Sequence, residues 1–385
     1  MTKPYLCIIL FILMIVSQSA SECYTSMFSF GDSLSDNGNL LGFSSPKTIH
    51  QGRPPNGETY FGQPTGRCCD GRLIVDMIAQ NFGLPIPPPY VSIRNAKSSR
   101  DFYAGVNFAV AGAKALDPSF FDERGISESV TNFTLRVQLD WFRDLLPSLC
   151  GTKANCMQYL QSSLTVMGEI GGNDYNHALL QGRSIEEVKT FVPAVVGAIS
   201  SAITDMIRLG AANFIVPGNL PLGCLAAYLT YFQNSNRDYD YDYDEAPGCI
   251  NWLNDFAKHH NEVLQIELNR IRELHPHVTI IYADYYNSAI RFYRWPKEFG
   301  FTGGTLSACC GAGGPYNFDS SVGCGDPPTT GCADPSAYVC WDGLHLTEAA
   351  NRLIVKGLFE GSYSAPPIKL ICAKIPSGGG LSHQK

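Results

Sequence analysis

Short apolar segments alternate with longer amphipathic segments along most of the chain. The apolar segments are rich in β-branched and aromatic residues, which is typical of strands buried on both faces. They predict strands at residues 27–30, 106–111, 164–169, 214–217 and 278–283. The amphipathic segments predict helices near residues 72–82, 135–146, 185–209, 250–274 and 347–359. This alternation predicts an α/β fold in which helices cover both faces of a central parallel sheet.

Three segments predict loops by composition. Residues 85–89 are almost all proline, residues 238–245 alternate acidic and aromatic side chains, and residues 302–333 are rich in Gly, Cys and Pro. Proline fixes the backbone and removes a hydrogen-bond donor, so the first segment is neither helix nor central strand. No internal repeat and no shift in composition marks a linker, so residues 22–385 are expected to form a single domain.

The N-terminus has the pattern of a secretory signal. Lys3 precedes an apolar run over residues 5–16, and small residues follow at 17–21. The run is too short to span a bilayer, so residues 1–21 are expected to be removed during export. We expect no later stretch to be long and apolar enough to cross a membrane. We therefore expect a protein of the secretory pathway, extracellular or vacuolar, without integral membrane association.

The cysteine content agrees with export. Fourteen cysteines are present, and thirteen remain once Cys7 leaves with the signal segment. In an oxidising compartment most of them are expected to form disulfides. The favoured pairs are Cys150–Cys156 and Cys224–Cys249. A further group is expected to crosslink the Gly-rich loop in a pairing that spacing does not assign: Cys309, Cys310, Cys324, Cys332 and Cys340. Because thirteen is odd, at least one thiol is expected to stay free.

Composition and charge narrow the classes of partner. The chain is 45% hydrophobic and 16% charged, enough for a large core, and its formal net charge is −7. A negative chain has no electrostatic attraction for nucleic acid or anionic membranes. No C-x-x-C pair and no H-E-x-x-H motif occurs, so neither metal nor other cofactor is predicted. We expect a monomer that acts on a small molecule, with Asn132 in Asn132-Phe133-Thr134 as a glycosylation site.

Two segments far apart in the chain carry candidate chemistry. Ser33 lies in Phe28-Ser-Phe-Gly-Asp-Ser-Leu-Ser-Asp-Asn-Gly-Asn39, just after the first predicted strand, and Asp342-Gly-Leu-His345 precedes the last predicted helix. A serine nucleophile, a histidine general base and a carboxylate that orients the histidine are the minimum set for acyl transfer through an acyl-serine. No Gly-x-Ser-x-Gly elbow is present, which argues against the α/β-hydrolase arrangement.

Donors for a tetrahedral oxyanion are expected at the same edge of the sheet. Gly112 follows the second predicted strand and Asn173 follows the third, while ligands of open parallel sheets bind beyond the carboxyl ends of the strands. The backbone N–H groups of Ser33 and Gly112 and the side-chain amide of Asn173 would supply three donors. Glycine at 112 suits close approach of the backbone to a substrate.

These residues also carry a resemblance. Gly31-Asp-Ser33-Leu, Gly112, Gly171-Gly-Asn173-Asp and Asp342-x-x-His345 are similar to the four sequence blocks of the SGNH hydrolases. The chain resembles the plant GDSL esterase/lipases over nearly all of its mature length, and most resembles the subgroup that contains acetylajmalan esterase and sinapine esterase. The resemblance implies a three-layer, flavodoxin-like fold and hydrolysis of an ester of a small acyl group, such as acetyl, with a plant specialised metabolite such as an alkaloid.

Each residue taken singly has a simpler interpretation. Ser33 could be a turn residue, Asp342 a loop residue and His345 a helix cap, whereas all of them in this order at strand ends favour catalysis. An acyltransferase with the same acyl-serine and a secreted binding protein without turnover remain alternatives, and a true lipase ranks lower. Asp36 and Asn39 are expected to hold the Ser33 loop, and His259 and His260 to face solvent.

Overall fold

A computed structural model describes residues 23–44, 48–95, 102–127, 131–233, 244 and 247–368. The predicted signal segment lies outside the described residues, as does the acidic-aromatic run apart from Asp244. The strands are β1 (Ser26–Phe30), β2 (Gly105–Asn107), β3 (Ser163–Met167), β4 (Asn213–Pro217), β5 (Thr279–Ala283), β6 (Gly304–Ala308), β7 (Tyr338–Cys340) and β8 (Ser364–Ala365).

The main sheet has the order β2-β1-β3-β4-β5-β8. The first five strands pair in parallel, and only β8 is antiparallel. β1, β3 and β4 are buried along their whole length, as the short apolar runs predict for central strands covered on both faces. The order of the parallel strands is that of flavodoxin-like folds, in agreement with the sequence prediction.

Twelve α-helices lie within the described residues: α1 (Asn39–Phe43), α2 (Ile74–Asn81), α3 (Pro118–Asp122), α4 (Leu135–Cys150), α5 (Lys153–Gln161), α6 (Gly172–Leu180), α7 (Ile185–Lys189), α8 (Val192–Leu209), α9 (Ala226–Gln233), α10 (Asn251–Leu274), α11 (Tyr285–Arg294) and α12 (Glu348–Glu360). Two packed groups of helices flank the sheet. α8 packs against α4, α5 and α10, while α12 packs against α2 and α11. The result is a mixed α/β fold with its core between the sheet and these helices.

The second strand is shorter than predicted. Residues 106–111 were expected to be extended, but pairing with β1 ends at Asn107. Beyond that point, side chains from the Ser33 loop bind the backbone: Asn39 Nδ2 donates to the carbonyls of Asn107 and Ala109, and Asp36 accepts from Ala111 N–H. The N–H groups of Phe108 and Val110 still donate to the carbonyls of Ser29 and Gly31, so residues 108–111 form a buried segment, held by backbone and side chains, that leads to Gly112.

The predicted helix at 185–209 is two helices, α7 and α8, separated by a short turn with Pro193 in the first turn of α8. By length and composition Ile185–Leu209 could cross a membrane, which corrects the sequence expectation that no later stretch could. In the structure, Val192, Val195, Ile199 and Ile203 of α8 are buried against neighbouring helices. Core helices of globular proteins pass the same test, and α8 has that role here.

Both favoured disulfides, Cys150–Cys156 and Cys224–Cys249, are present. The Gly-rich loop is crosslinked by Cys309–Cys332 and Cys310–Cys324, and it contains strand β6, which was not predicted. Cys340 was expected to join this group, but its thiol is free and buried, and its Sγ accepts a hydrogen bond from Gly343 N–H. Cys68 and Cys69 are the other free thiols among the described residues.

Candidate active site

The Ser33 loop leaves β1 in a fixed conformation. The Gln138 side chain binds both the N–H and the carbonyl of Gly31, and Asp32 N–H donates to the carbonyl of Glu169 at the end of β3. Further along, the buried Asp36 carboxylate accepts from the N–H groups of residues 38–40. These bonds confirm the expectation that Asp36 and Asn39 hold the loop. Ser33 is left partly exposed at the carboxyl end of the sheet.

The Asp342–His345 segment is a self-contained turn between β7 and α12. Asp342 Oδ1 accepts hydrogen bonds from the backbone N–H groups of Leu344 and His345. Gly343 has a φ of 106°, and a Cβ at this position would lie 2.1 Å from the Phe318 ring. Only glycine fits such a conformation and such a close contact. The three-residue spacing therefore places the side chains of Asp342 and His345 on one turn.

Ser33, His345 and Asp342 form one chain of hydrogen bonds. Ser33 Oγ lies 2.7 Å from His345 Nε2. On the other side of the ring, His345 Nδ1 lies 2.8 Å and 2.7 Å from the two carboxylate oxygens of Asp342. The imidazole and the carboxylate are both shielded, with 14% and 16% of their side-chain surfaces exposed. A hydroxyl, a base and an orienting carboxylate in this geometry are competent for nucleophilic catalysis.

The charges of His345 and Asp342 stabilise each other. Burial works to lower the pKa of His345, but the Asp342 carboxylate and the Cys68 sulfur outweigh it and hold the pKa well above its usual value. Burial works to raise the pKa of Asp342, but the His345 charge and hydrogen bond leave that pKa below its usual value. The imidazolium formed when His345 accepts a proton is thus stabilised at its site.

Asn173 and Gly112 lie on the other side of Ser33. Asn173 is in the first turn of α6, and its Nδ2 donates to Asp32 Oδ2 at 3.1 Å and to the Ala113 carbonyl at 3.0 Å. Gly112 directly precedes Ala113, is buried and has a φ of 81°, a left-handed conformation that favours glycine. The fold thus brings the predicted residues to one edge of the sheet.

A buried carboxyl pair, Asp32 and Glu169, supports this arrangement, and sequence analysis missed it. Burial raises the pKa of Asp32 to about 6. Burial, reinforced by the negative charge of Asp32, raises the pKa of Glu169 well above its usual value. Glu169 therefore holds the proton and donates it in a hydrogen bond to Asp32, which accepts from Leu34 N–H and from Asn173. No pattern in the sequence relates residues 32 and 169.

Two cavities meet at Leu344 and His345. The first has a volume of about 50 Å³ and contains Ser33; its other lining residues are Asp32, Leu34, Glu169, Gly172, Asn173, Asn176, Asn219, Leu220, Leu222 and Leu225. The second has a volume of about 240 Å³; its other lining residues are His50, Gln51, Asn56, residues 318–323, Cys324 and Asp342. Ser33 thus lines a small, mixed polar and apolar cavity, and His345 also borders a larger one.

The remaining sequence expectations have mixed outcomes. Asn132, the predicted glycosylation site, is exposed. His259 is exposed as expected, whereas His260 is buried and its Nδ1 lies 2.7 Å from Tyr175 Oη, which contradicts the expectation that it faces solvent.

Cys68 was not predicted to have a role, yet its sulfur lies beside His345 and Asp342.

Comparisons with known proteins agree with this geometry. The family model for GDSL-like lipase/acylhydrolases matches residues 27–358. A GDSL esterase/lipase of Arabidopsis thaliana is 50% identical over 357 residues, covering 92% of this chain and 87% of that protein. A second from the same plant is 50% identical over 364 residues, covering 94% of this chain and 90% of that protein. Sinapine esterase of Brassica napus is 48% identical over 363 residues, covering 93% and 91% respectively.

The match includes both segments that carry the hydrogen-bonded Ser33, His345 and Asp342. Relatives similar over nearly their whole length are esterases by name. The chain is therefore an ester hydrolase that belongs to the GDSL-like lipase/acylhydrolase family.

Proposed function

We propose that the protein is a serine carboxylesterase that works through an acyl-enzyme on Ser33. The observation that carries this proposal is the 2.7 Å contact between Ser33 Oγ and His345 Nε2. His345 takes the hydroxyl proton as Oγ attacks the ester carbonyl carbon, and then donates that proton to the departing alcohol oxygen. Water, activated by the same imidazole, releases the acid and restores Ser33. Asp342 orients the ring throughout.

Three donors are proposed for the oxyanion of the tetrahedral intermediates. They are the backbone N–H groups of Ser33 and Gly112 and the side-chain amide of Asn173. The position of Gly112 next to Ala113, which accepts from Asn173, supports grouping them together. Donors fixed before the reaction stabilise charge as it develops, and each typically contributes about 2.7–4 kcal/mol of barrier lowering.

The acyl half of the substrate is proposed to be small. An engineered cavity of about 150 Å³ is large enough to hold benzene. The cavity at Ser33 has about 50 Å³, so it accommodates only a few non-hydrogen atoms. Leu220, Leu222 and Leu225 line it beside Ser33. These dimensions support an acetyl or similarly short acyl group and count against the long chains that a true lipase would bind.

The alcohol half is proposed to lie in the second cavity. The departing oxygen must receive its proton from His345, so this half of the substrate lies on the imidazole side of the site. The cavity there has about 240 Å³ and includes the Phe318 ring. That volume suits an alcohol larger than the acyl group. One relative is named sinapine esterase, and for this chain we propose an ester of a specialised metabolite such as an alkaloid.

Export, glycosylation and a monomeric state complete the proposal. Four disulfides among the described residues are consistent with an oxidising compartment, extracellular or vacuolar. The exposure of Asn132 supports a glycan there, which a mass shift on glycosidase treatment of protein from a eukaryotic host would reveal. Size-exclusion chromatography with light scattering would measure the oligomeric state.

Hydrolysis of a p-nitrophenyl ester series from acetate to palmitate tests the proposal. We expect kcat/KM to be highest for acetate and to fall as the acyl chain lengthens. An organophosphate probe should label wild-type protein at Ser33, and Ser33→Ala should abolish both labelling and turnover. A folded, disulfide-bonded protein that neither hydrolyses any ester nor reacts with the probe would favour a binding protein instead.

The same enzyme preparation distinguishes hydrolase from transferase. Acyl-Ser33 can pass its acyl group to water or to another alcohol. Incubation with p-nitrophenyl acetate and a set of metabolite alcohols, followed by mass spectrometry, measures the ratio of free acetate to new ester. We expect free acetate to predominate, and a predominance of new ester would assign the transferase alternative.

A further inference from the structure

Cys68 is a buried free thiol beside the catalytic residues. It is 1% exposed and forms no disulfide, whereas most other described cysteines are paired. Its Sγ accepts a hydrogen bond of 3.2 Å from Gln51 Nε2. One ligand atom from each of Cys68, Asp342 and His345 lies within 4.8 Å of the others. A sulfur, an imidazole nitrogen and a carboxylate oxygen therefore converge at one point.

These three groups are the ligand types that zinc prefers. In a tetrahedral site the zinc–sulfur distance is about 2.3 Å and the zinc–nitrogen distance about 2.0–2.1 Å, which separates neighbouring ligand atoms by roughly 3.5 Å. Small side-chain movements bring atoms already within 4.8 Å to that spacing. Three protein ligands with water in the fourth position is an established zinc geometry. The Gln51 amide supplies a hydrogen bond that stabilises a metal-bound sulfur.

A path from solvent reaches this point. Gln51, Asp342 and His345 all line the cavity of about 240 Å³, so a hydrated cation that enters it meets two of the ligands at once. Cys68 Sγ does not line the cavity itself but contacts the lining residue Gln51. Asp319 lines the same cavity, and the chain has a formal net charge of −7. Two carboxylates, Asp319 and Asp342, thus border the cavity and attract cations at short range.

We propose that Cys68, Asp342 and His345 form an inhibitory site for Zn²⁺. Binding displaces the thiol proton and any proton on the imidazole nitrogen that takes the metal; these protons are released to solvent, and no oxidation is involved. The metal takes a lone pair of the His345 ring. At Nε2 it removes the contact to Ser33, and at Nδ1 it removes the contact to Asp342. Either way the base can no longer accept the serine proton, so a thiophilic cation stops the reaction that the family performs.

Inhibition by ZnCl₂ during p-nitrophenyl acetate hydrolysis tests this site. Removing a residue that only hydrogen-bonds to a metal ligand lowers metal affinity about 10–100-fold. Cys68→Ser removes a ligand itself, so it should raise the half-inhibiting Zn²⁺ concentration by more than about tenfold. Cys69→Ser is the matched control, because Cys69 is the adjacent buried thiol but contacts Asp70 and Gly71 instead. It should be inhibited like wild type. Mg²⁺, which prefers oxygen ligands, should not inhibit. Equal sensitivity of Cys68→Ser and wild type would overturn the proposal.

Metal binding is also measurable without turnover. Ser33→Ala protein loaded with Co²⁺ should show the near-ultraviolet absorption of a sulfur–cobalt bond, and the additional Cys68→Ala substitution should remove it. Circular dichroism verifies that both proteins are folded. If the wild type lacks esterase activity but the absorption appears, the proposed function has failed and the metal site stands. If the enzyme is active but shows neither absorption nor Zn²⁺ inhibition, the metal site has failed.

Discussion

The side-chain amide of Asn173 donates one hydrogen bond to the carboxylate of Asp32, the residue immediately before Ser33, at a distance of 3.1 Å. The same amide nitrogen of Asn173 donates its second hydrogen to the Ala113 carbonyl, at 3.0 Å. Both amide hydrogens are thus engaged before any substrate binds. To stabilise an oxyanion, Asn173 must share or release one of them. The buried Asp32–Glu169 pair therefore influences how readily this donor becomes available.

Asn173→Ala separates a catalytic donor from a structural clamp. If the amide stabilises the oxyanion, kcat for p-nitrophenyl acetate should fall about 10²–10³-fold with little change in KM, because the interaction forms in the transition state. Asn176→Ala is the control, since Asn176 lines the same cavity. A kcat for Asn173→Ala close to that of Asn176→Ala, with only a lower melting temperature, would restrict Asn173 to the structural role.

The hydrogen bonds that join Ser33, His345 and Asp342 were predictable because each of the two segments has a locally encoded conformation. The turn that joins Asp342 to His345 closes through the Asp342 carboxylate and the backbone of the next three residues, so a short sequence determines its geometry. Ser33 directly follows a fully buried strand, and parallel strands bring their carboxyl ends to one edge. Local patterns therefore predicted each segment separately, and the shared edge of the sheet predicted that Ser33 and His345 would lie close together.

Features that depend on contacts between distant segments were missed. The backbone beyond β2 is bound by Asn39 and Asp36, which lie in a loop far earlier in the chain. The Asp32–Glu169 pair and the position of Cys68 beside His345 likewise arise only in the folded chain. In a periodic helix, His260 has the sequence neighbours of a surface residue, yet it lies on the buried face of α10. Pattern analysis detects a helix more reliably than it assigns each polar side chain to a face.

Asp342→Asn tests the orienting role of the carboxylate. The amide oxygen can keep the backbone hydrogen bonds, but its NH₂ group then faces His345 Nδ1 and favours the tautomer with a proton on Nε2. That tautomer cannot accept the serine proton. The equivalent substitution in serine proteases lowers kcat about 10⁴-fold, and we expect a loss of similar size here.

Asp319→Asn provides the comparison for that loss. Asp319 lines the same cavity as His345, but its carboxylate accepts hydrogen bonds from the backbone N–H and hydroxyl of Ser321 rather than from His345. Its kcat with p-nitrophenyl acetate should stay within a few fold of wild type. Equal activity of Asp342→Asn and Asp319→Asn would remove Asp342 from the mechanism.

Leu222→Ala should change acyl preference. Leu222 is nearly buried and lines the small cavity at Ser33, so its truncation adds space for further methylene groups. One extra methylene in a hydrophobic pocket is worth about 1–3 kcal/mol of discrimination. We expect the ratio of kcat/KM for butyrate to that for acetate to rise at least tenfold. Leu229→Ala, a buried leucine of α9 that is not part of the cavity lining, should lower stability without changing this ratio.

His260 should make the fold sensitive to acid. Burial, aided by the charge of His259, lowers the pKa of His260 to about 3, below the unfolded value near 6.5. Between these values the unfolded chain binds a proton that the folded chain does not, so the free energy of unfolding falls by up to about 1.4 kcal/mol per pH unit as the pH decreases. The contribution of His260 is complete above pH 6.5. Urea denaturation of wild type and His260→Gln from pH 7 to pH 4 should give a stability difference that shrinks toward acid. The exposed His259→Gln should show no such trend, and a pH-independent difference for His260→Gln would exclude this origin of acid sensitivity.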